Sequence, residues 1–211
     1  IHHNYSEGNA GFLESSWDYD WPRFQQEIYN WRVSFNVCYD GQSWLFMLAP
    51  CTGIYFDNNT IARYNGFGRS QNAGARIDVR GGSPVGKPSG AHFRNNLFIY
   101  SSSPYTGNRS GGALKTANWY SKYKYPDVKY QGDSNQAGSG DPGLVDLEKQ
   151  DYRLRADSPL RGKAINLSEF YESDFDGHPL PKTGNWDIGA IQYNAAKPTK
   201  ALQPKRRSPY H

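Results

Sequence analysis

FDNNTI, residues 56 to 61, sets an apolar residue, two polar positions, an asparagine and then apolar residues again. Phe56, Asn59 and Ile61 mark the pattern. It recurs as FRNNLF at Phe93, Asn96 and Phe98, as VSFNVC at Val33, Asn36 and Cys38, and as IHHNYS at Ile1, Asn4 and Ser6. The four asparagines lie 32, 23 and 37 residues apart, which is a repeat with variable insertions. An asparagine between β-type flanks predicts a sharp bend joining two strands. Its side chain bonds neighbouring backbone, and it tolerates the left-handed conformation. If such bends stack, their amides can bond one another in a ladder, as stacked asparagines do in cross-β structures.

A second β-type element follows each bend after a loop of varying length: GFLES at 11–15, SWLFM at 43–47, ARIDVRG at 75–81 and GALKT at 112–116. Helical periodicity is poor throughout, whereas short β-type runs bounded by Gly, Asn and Pro are frequent. The unit is strand, asparagine bend, strand, loop, strand, as in one coil of a parallel solenoid. With its end signature DYRLRADSPLRGKA at 151–164 and DFDGHPLPKTGNWDIGAIQ at 174–192, the chain resembles the right-handed parallel β-helix family that includes pectate-lyase-like proteins. The resemblance covers residues 1–192 and implies an all-β right-handed parallel β-helix, secreted or at the cell surface of a bacterium. It implies no single activity, because that scaffold hosts lyases, hydrolases and adhesins. Residues 1–120 are expected to form coils, 121–150 an irregular excursion, 151–192 the last coil and cap, and 193–211 a basic Pro-rich tail. The pattern is already running at Ile1, and a solenoid end needs covering. Preceding coils, or another chain stacked on residues 1–6, are therefore expected.

Composition narrows the function classes. No apolar run approaches the roughly 18–20 residues that span a bilayer, so no membrane span is expected. The net charge is +4 over 211 residues, but the tail from Lys197 to His211 holds five cations and no acid, which leaves the rest at −1. That body is no nucleic-acid footprint. The tail reads as a mobile arm, or as a contact for an anionic polymer. Two cysteines support neither a zinc site nor a disulfide scaffold. Cys38 sits at an apolar pattern position and is expected to be a small buried residue, with a single disulfide to Cys51 as the alternative.

In the resembled family the strand after the long loop lines the substrate groove. If Leu13, Leu45, Ile77 and Leu114 face the core, alternation puts Glu14, Phe46, Asp78 and Lys115 in one outward column. Phe12, Trp44, Arg76 and Ala113 make the other, with Arg80 further along its strand. At about 4.8 Å per strand, Glu14 and Asp78 stand about 9.6 Å apart. Inverting glycosidases hold their two carboxyl groups roughly 6.5–9.5 Å apart. Trp44 and Phe46 suit stacking on sugar faces, and Arg76, Arg80 and Lys115 suit uronate or sulfate groups. A hydrolase there needs no cofactor. A lyase would use Arg76, Arg80 or Lys115 as base, and calcium enters only in that reading, with Asp78 as a ligand. WDYDW at 17–21 adds Trp17, Asp18, Asp20 and Trp21 as a wall for the groove, or as a loop packed on the flank. His2 and His3, adjacent near a strand, are expected to face opposite sides and share no metal. The plain alternative is a solvated mixed-charge face on a non-catalytic surface or assembly protein that binds glycan or stacks with partner chains.

Overall fold

The computed structural model describes residues 1–7, 11–14, 28–39, 44–48, 51–62, 76–79, 89–99, 114–121 and 137–195. Among them there is no helix, and none long and apolar enough to cross a membrane. The first bend, at His3 and Asn4, leads into β1 (Tyr5–Glu7), β2 (Gly11–Glu14), β3 (Ile28–Tyr29) and β4 (Arg32–Ser34). After the Asn36 bend come β5 (Val37–Tyr39), β6 (Trp44–Leu48) and β7 (Cys51–Asp57), and after the Asn59 bend β8 (Thr60–Ala62), β9 (Arg76–Val79) and β10 (Ser89–Arg94). The Asn96 bend is followed by β11 (Leu97–Ile99) and β12 (Leu114–Thr116). The last strands are β13 (Trp119–Ser121), β14 (Gly138–Ser139), β15 (Leu144–Asp146) and β16 (Asp151–Leu154).

The described residues are all-β, with three parallel sheets that each take strands from successive repeats. Strands after the bends form the order β1-β5-β8-β11-β13-β14. Strands before the bends form β12-β10-β7-β3, with β4 also beside β7, and β2-β6-β9 make the third sheet. Only β15 and β16 pair antiparallel among these strands. Of the segment expected as an irregular excursion, 121–150, residues 122–136 lie outside the described residues, and in the remainder β14 extends the first sheet beside β13 and β15 closes on β16. Gly138 has a steric reason to be glycine, since a Cβ there would meet the Trp119 indole at 2.3 Å.

The asparagine ladder runs through five bends, not four. Asn36 Oδ1 accepts from Asn4 N and Nδ2, both at 3.0 Å. Asn59 Oδ1 accepts from Asn36, Asn96 Oδ1 from Asn59, and Asn118 Oδ1 from Asn96, each through the same pair of groups. The second amide hydrogen reaches a carbonyl of the neighbouring repeat, Val33, Phe56 and Phe93 for Asn59, Asn96 and Asn118. The left-handed residue is not the ladder asparagine, as the sequence suggested, but the one before it: His3, Phe35, Asn58, Asn95 and Ala117, with φ between 50° and 60°. A non-glycine residue pays roughly 1–2 kcal/mol for that conformation, and the ladder bonds offset it.

The sheet after the bends is buried on both faces, so β5, β8, β11 and β13 are buried at all three positions. Cys38, Ile61, Phe98 and Tyr120 share one register row, and the Phe98 and Tyr120 rings stack at 5.2 Å. By alternation the flanking rows face the other way. There Val37, Tyr39, Ala62, Leu97, Ile99 and Trp119 join one cluster with Leu144, Tyr152, Leu160, Leu167, Trp186 and Ile188. The segment expected as last coil and cap thus lies across the bends. His3 Nε2 reaches Ser173 O at 3.3 Å, and Phe35 meets the rings of Tyr171 and Trp186. Asn58 Nδ2 donates to the carbonyls of Asp187 and Gly189, and Asn95 bonds the backbone of Ile165 both ways. Cys38 is free and buried, and that burial pushes its thiol pKa up.

Candidate functional site

The third sheet, β2-β6-β9, holds the positions of Glu14 and Asp78. β2 and β6 pair with Leu13 beside Phe46 and Glu14 beside Met47. β6 and β9 pair with Trp44 beside Arg76, Phe46 beside Ile77 and Met47 beside Asp78. Glu14, Met47 and Asp78 therefore occupy one register row, which puts the two acidic positions two strands and about 9.6 Å apart. Two expectations are corrected. Phe46 stands in the row of Leu13 and Ile77, not between the acids: β2 and β6 pair in one unbroken register, with Gly11 beside Trp44, and the pairing with β9 shifts by one extra residue of β6 between Trp44 and Phe46. Such a bulge re-aims the residues beyond it, and bulges are over-represented beside active sites. Lys115 is not beside Asp78 at all: β12 pairs with β10, placing Lys115 next to Phe93 in the sheet before the bends. LKT precedes the Asn118 bend as YFD precedes that of Asn59, so it belongs with the strands before the bends. Arg80, Trp17, Asp18, Asp20 and Trp21 lie outside the described residues.

A second polar cluster, missed in the sequence, sits where the C-terminal segment crosses the sheet before the bends. Pairing sets Arg32 beside Tyr55 and Tyr55 beside His92, and in the next outward row Ser34, Asp57 and Arg94. Arg94 clasps the fully buried Asp57 carboxylate through Nε at 2.7 Å and Nη2 at 2.6 Å, while the Tyr171 hydroxyl donates to Asp57 Oδ2 at 2.5 Å. Burial opposes the Arg94 charge, but the hydrogen bonds and charge of Asp57 outweigh it and hold the Arg94 pKa above its ordinary value. Burial, then the Asp57 charge, pushes the Tyr171 pKa up. The Arg32 guanidinium lies 4.0 Å from the Phe170 ring and 4.4 Å from that of Tyr55, whose other side stacks on His92 at 5.0 Å. Burial, then Arg94, lowers the His92 pKa. The signal was present: residues four and two before Asn36, Asn59 and Asn96 read Arg32 and Ser34, Tyr55 and Asp57, His92 and Arg94. That alternation marks an outward face. The cluster reads as a staple holding the C-terminal segment to the sheet.

Asp174, Asp176 and His178 bring three possible ligand atoms within 4.8 Å of one another. Asp174 Oδ1 already accepts from the backbone N–H groups of Asp176 and His178, and Oδ2 from Gln192 N. That carboxylate braces a turn. His2 and His3 do not face opposite sides: the left-handed φ of His3 folds the rings together, with Nδ1 atoms 2.6 Å apart. No model of a known protein family matches the chain, and no curated protein matches it.

Proposed function

We propose that the chain belongs to a secreted or cell-surface right-handed parallel β-helix that binds and cleaves an extracellular polysaccharide along the sheet β2-β6-β9. The coil reading is supported by the stacking order, in which successive repeats add one strand to each parallel sheet, and by the general right-handedness of parallel crossovers. The observation that carries the catalytic reading is the shared register row of Glu14 and Asp78. At about 9.6 Å, a separation near the upper end for inverting hydrolysis, one carboxyl group protonates the glycosidic oxygen. The other takes a proton from the water that attacks the opposite face of the sugar. Trp44 and Arg76 share a register position in the same sheet, and their residue types suit a sugar ring and an acidic substituent. Arg76, two positions from Asp78, favours a second reading in which Arg76 is the base of a β-elimination. The reaction in the first reading calls for no cofactor.

The test is digestion of a polysaccharide panel by the chain and by its Glu14→Gln and Asp78→Asn variants. Release of reducing ends, lowered at least about 100-fold in each variant, is the expected result. Unsaturated products with new ultraviolet absorbance would move the assignment to the lyase. Binding without cleavage by the folded protein would overturn catalysis and leave a glycan-binding or assembly protein.

A further inference from the structure

The first bend holds two imidazoles in a geometry that has a chemical consequence independent of any glycan. The His2 and His3 Nδ1 atoms are 2.6 Å apart while the ring centroids are 4.8 Å apart, so both nitrogens lie close to the line of ring centres, with the planes perpendicular. One proton fits on that line and two do not. The tautomers are set by the partners. The Ser173 carbonyl can only accept, so His3 Nε2 carries a hydrogen and His3 Nδ1 presents its lone pair. His2 Nδ1 is then the donor. The His3 ring is held in place by stacking on Phe35 at 5.8 Å, and the left-handed backbone of His3 keeps it turned toward His2. A head-on contact this short leaves no room for a metal ion bound by both nitrogens, whose bonds run about 2.0–2.1 Å each in the zinc case.

We propose that His2 and His3 form a proton-operated latch: the pair accepts one positive charge with the bend closed, and a second only by opening it. The first added proton goes to His2 Nε2, on an exposed ring, and leaves Nδ1–H donating to His3, a bond that becomes charge-assisted. The second must go to His3 Nδ1, the acceptor of that bond, so the contact breaks and the rings repel. The bend opened in this way is the one whose Asn4 starts the ladder and whose His3 ties the C-terminal segment. Of the groups packed around this bend, the Ile1 nitrogen donates to Arg32 O, the Arg32 guanidinium lies over the Tyr55 and Phe170 rings, and Ser173, which meets His3, stands between Glu172 and Asp174 in sequence. The carboxylate of Asp174 is already engaged by its own turn. Burial, then His3, lowers the His2 pKa, in line with two protons competing for one pair.

The experiment tracks both imidazoles and the His3 and Asn4 amides by NMR, in the whole chain, from pH 8 to pH 4. The expected record has two macroscopic steps more than about one pH unit apart, the separation at which coupling is resolved. The amides should hold their shifts through the upper step and move in the lower one. His2→Gln, which keeps an N–H donor, and His3→Gln should each reduce the record to a single step, and either variant serves if the other perturbs the bend at neutral pH. Two rings titrating together in one step, or amides that move with the upper step, would overturn the latch.

Discussion

A single amide in the ladder does several jobs, and its position along the stack sets its worth. Asn59 is fully buried. Its Oδ1 takes the backbone and side-chain hydrogens of Asn36, and its own groups serve Asn96, Val33 and Asp57. Replacing it by Ala strands several buried groups at once, each worth about 1–3 kcal/mol. Asn59→Ala should therefore cost at least about 3 kcal/mol in a denaturant titration. Asn4→Ala, at an exposed side chain, should cost about 1 kcal/mol or less, because Asn36 Oδ1 keeps the Asn4 backbone N–H. Equal losses would mean that the ladder is not the cooperative element. Four of its asparagines were legible in the sequence because β-type residues flank them. Asn118 was not, because the apolar residue three positions before each of the others, Ile1, Val33, Phe56 or Phe93, is replaced there by Lys115. The left-handed position one residue earlier was also hidden, since it is filled by His, Phe, Asn or Ala, which share no chemistry.

At the scale of strands, pattern specified pairing only where one face differs from the other. The sheet after the bends has apolar residues on both faces, so Val37-Cys38-Tyr39 and Leu97-Phe98-Ile99 read as continuous apolar runs, the signature of a strand covered on both sides. The covering segment was thus implied, though not its identity. The third sheet was legible in pairing but not in register, because one extra residue in β6 shifts the row, and period-2 arguments do not survive an insertion. The staple on the sheet before the bends offers a sharper test of how that cover is held. Arg94→Met leaves the buried Asp57 carboxylate without its ion partner and should cost about 3–5 kcal/mol. Tyr171→Phe removes one hydrogen bond to the same charged group and should cost about 1.5–3 kcal/mol. The double variant Asp57→Asn with Arg94→Met should recover part of the Arg94→Met loss, since no buried charge is then left unpaired. Failure of that recovery in thermal melts would locate the loss in packing of the Arg94 stem over Tyr55 instead.

The molecule as a whole depends on groups from separate parts of the chain staying protonated in one interior. Cys38 lies in the sheet after the bends, while Tyr152 and Tyr171 belong to the segment that covers it. Burial raises all three above their ordinary values of 9.0 for the thiol and 10.0 for the phenols. A raised folded pKa means that the native state keeps a proton the unfolded chain releases. The stability tied to these groups is whole below pH about 9, and it falls as pH rises beyond the unfolded values. Each contributes roughly 1.4 kcal/mol per pH unit, so the three together steepen the decline above pH 10 to about 4 kcal/mol per unit. Against a typical domain stability of about 5–15 kcal/mol, unfolding should set in within a few pH units. The Tyr152 hydroxyl is buried with no hydrogen-bond partner among the described residues, so Tyr152→Phe should change stability at pH 7 by less than about 1 kcal/mol. The same variant should remove about a third of the alkaline slope, because one of three proton-holding groups is gone. Denaturant titrations at pH 7, 9, 10 and 11 separate the two effects. A slope unchanged by Tyr152→Phe would mean that this ring is already open to solvent in the native state, and that the C-terminal segment does not seal the sheet it crosses.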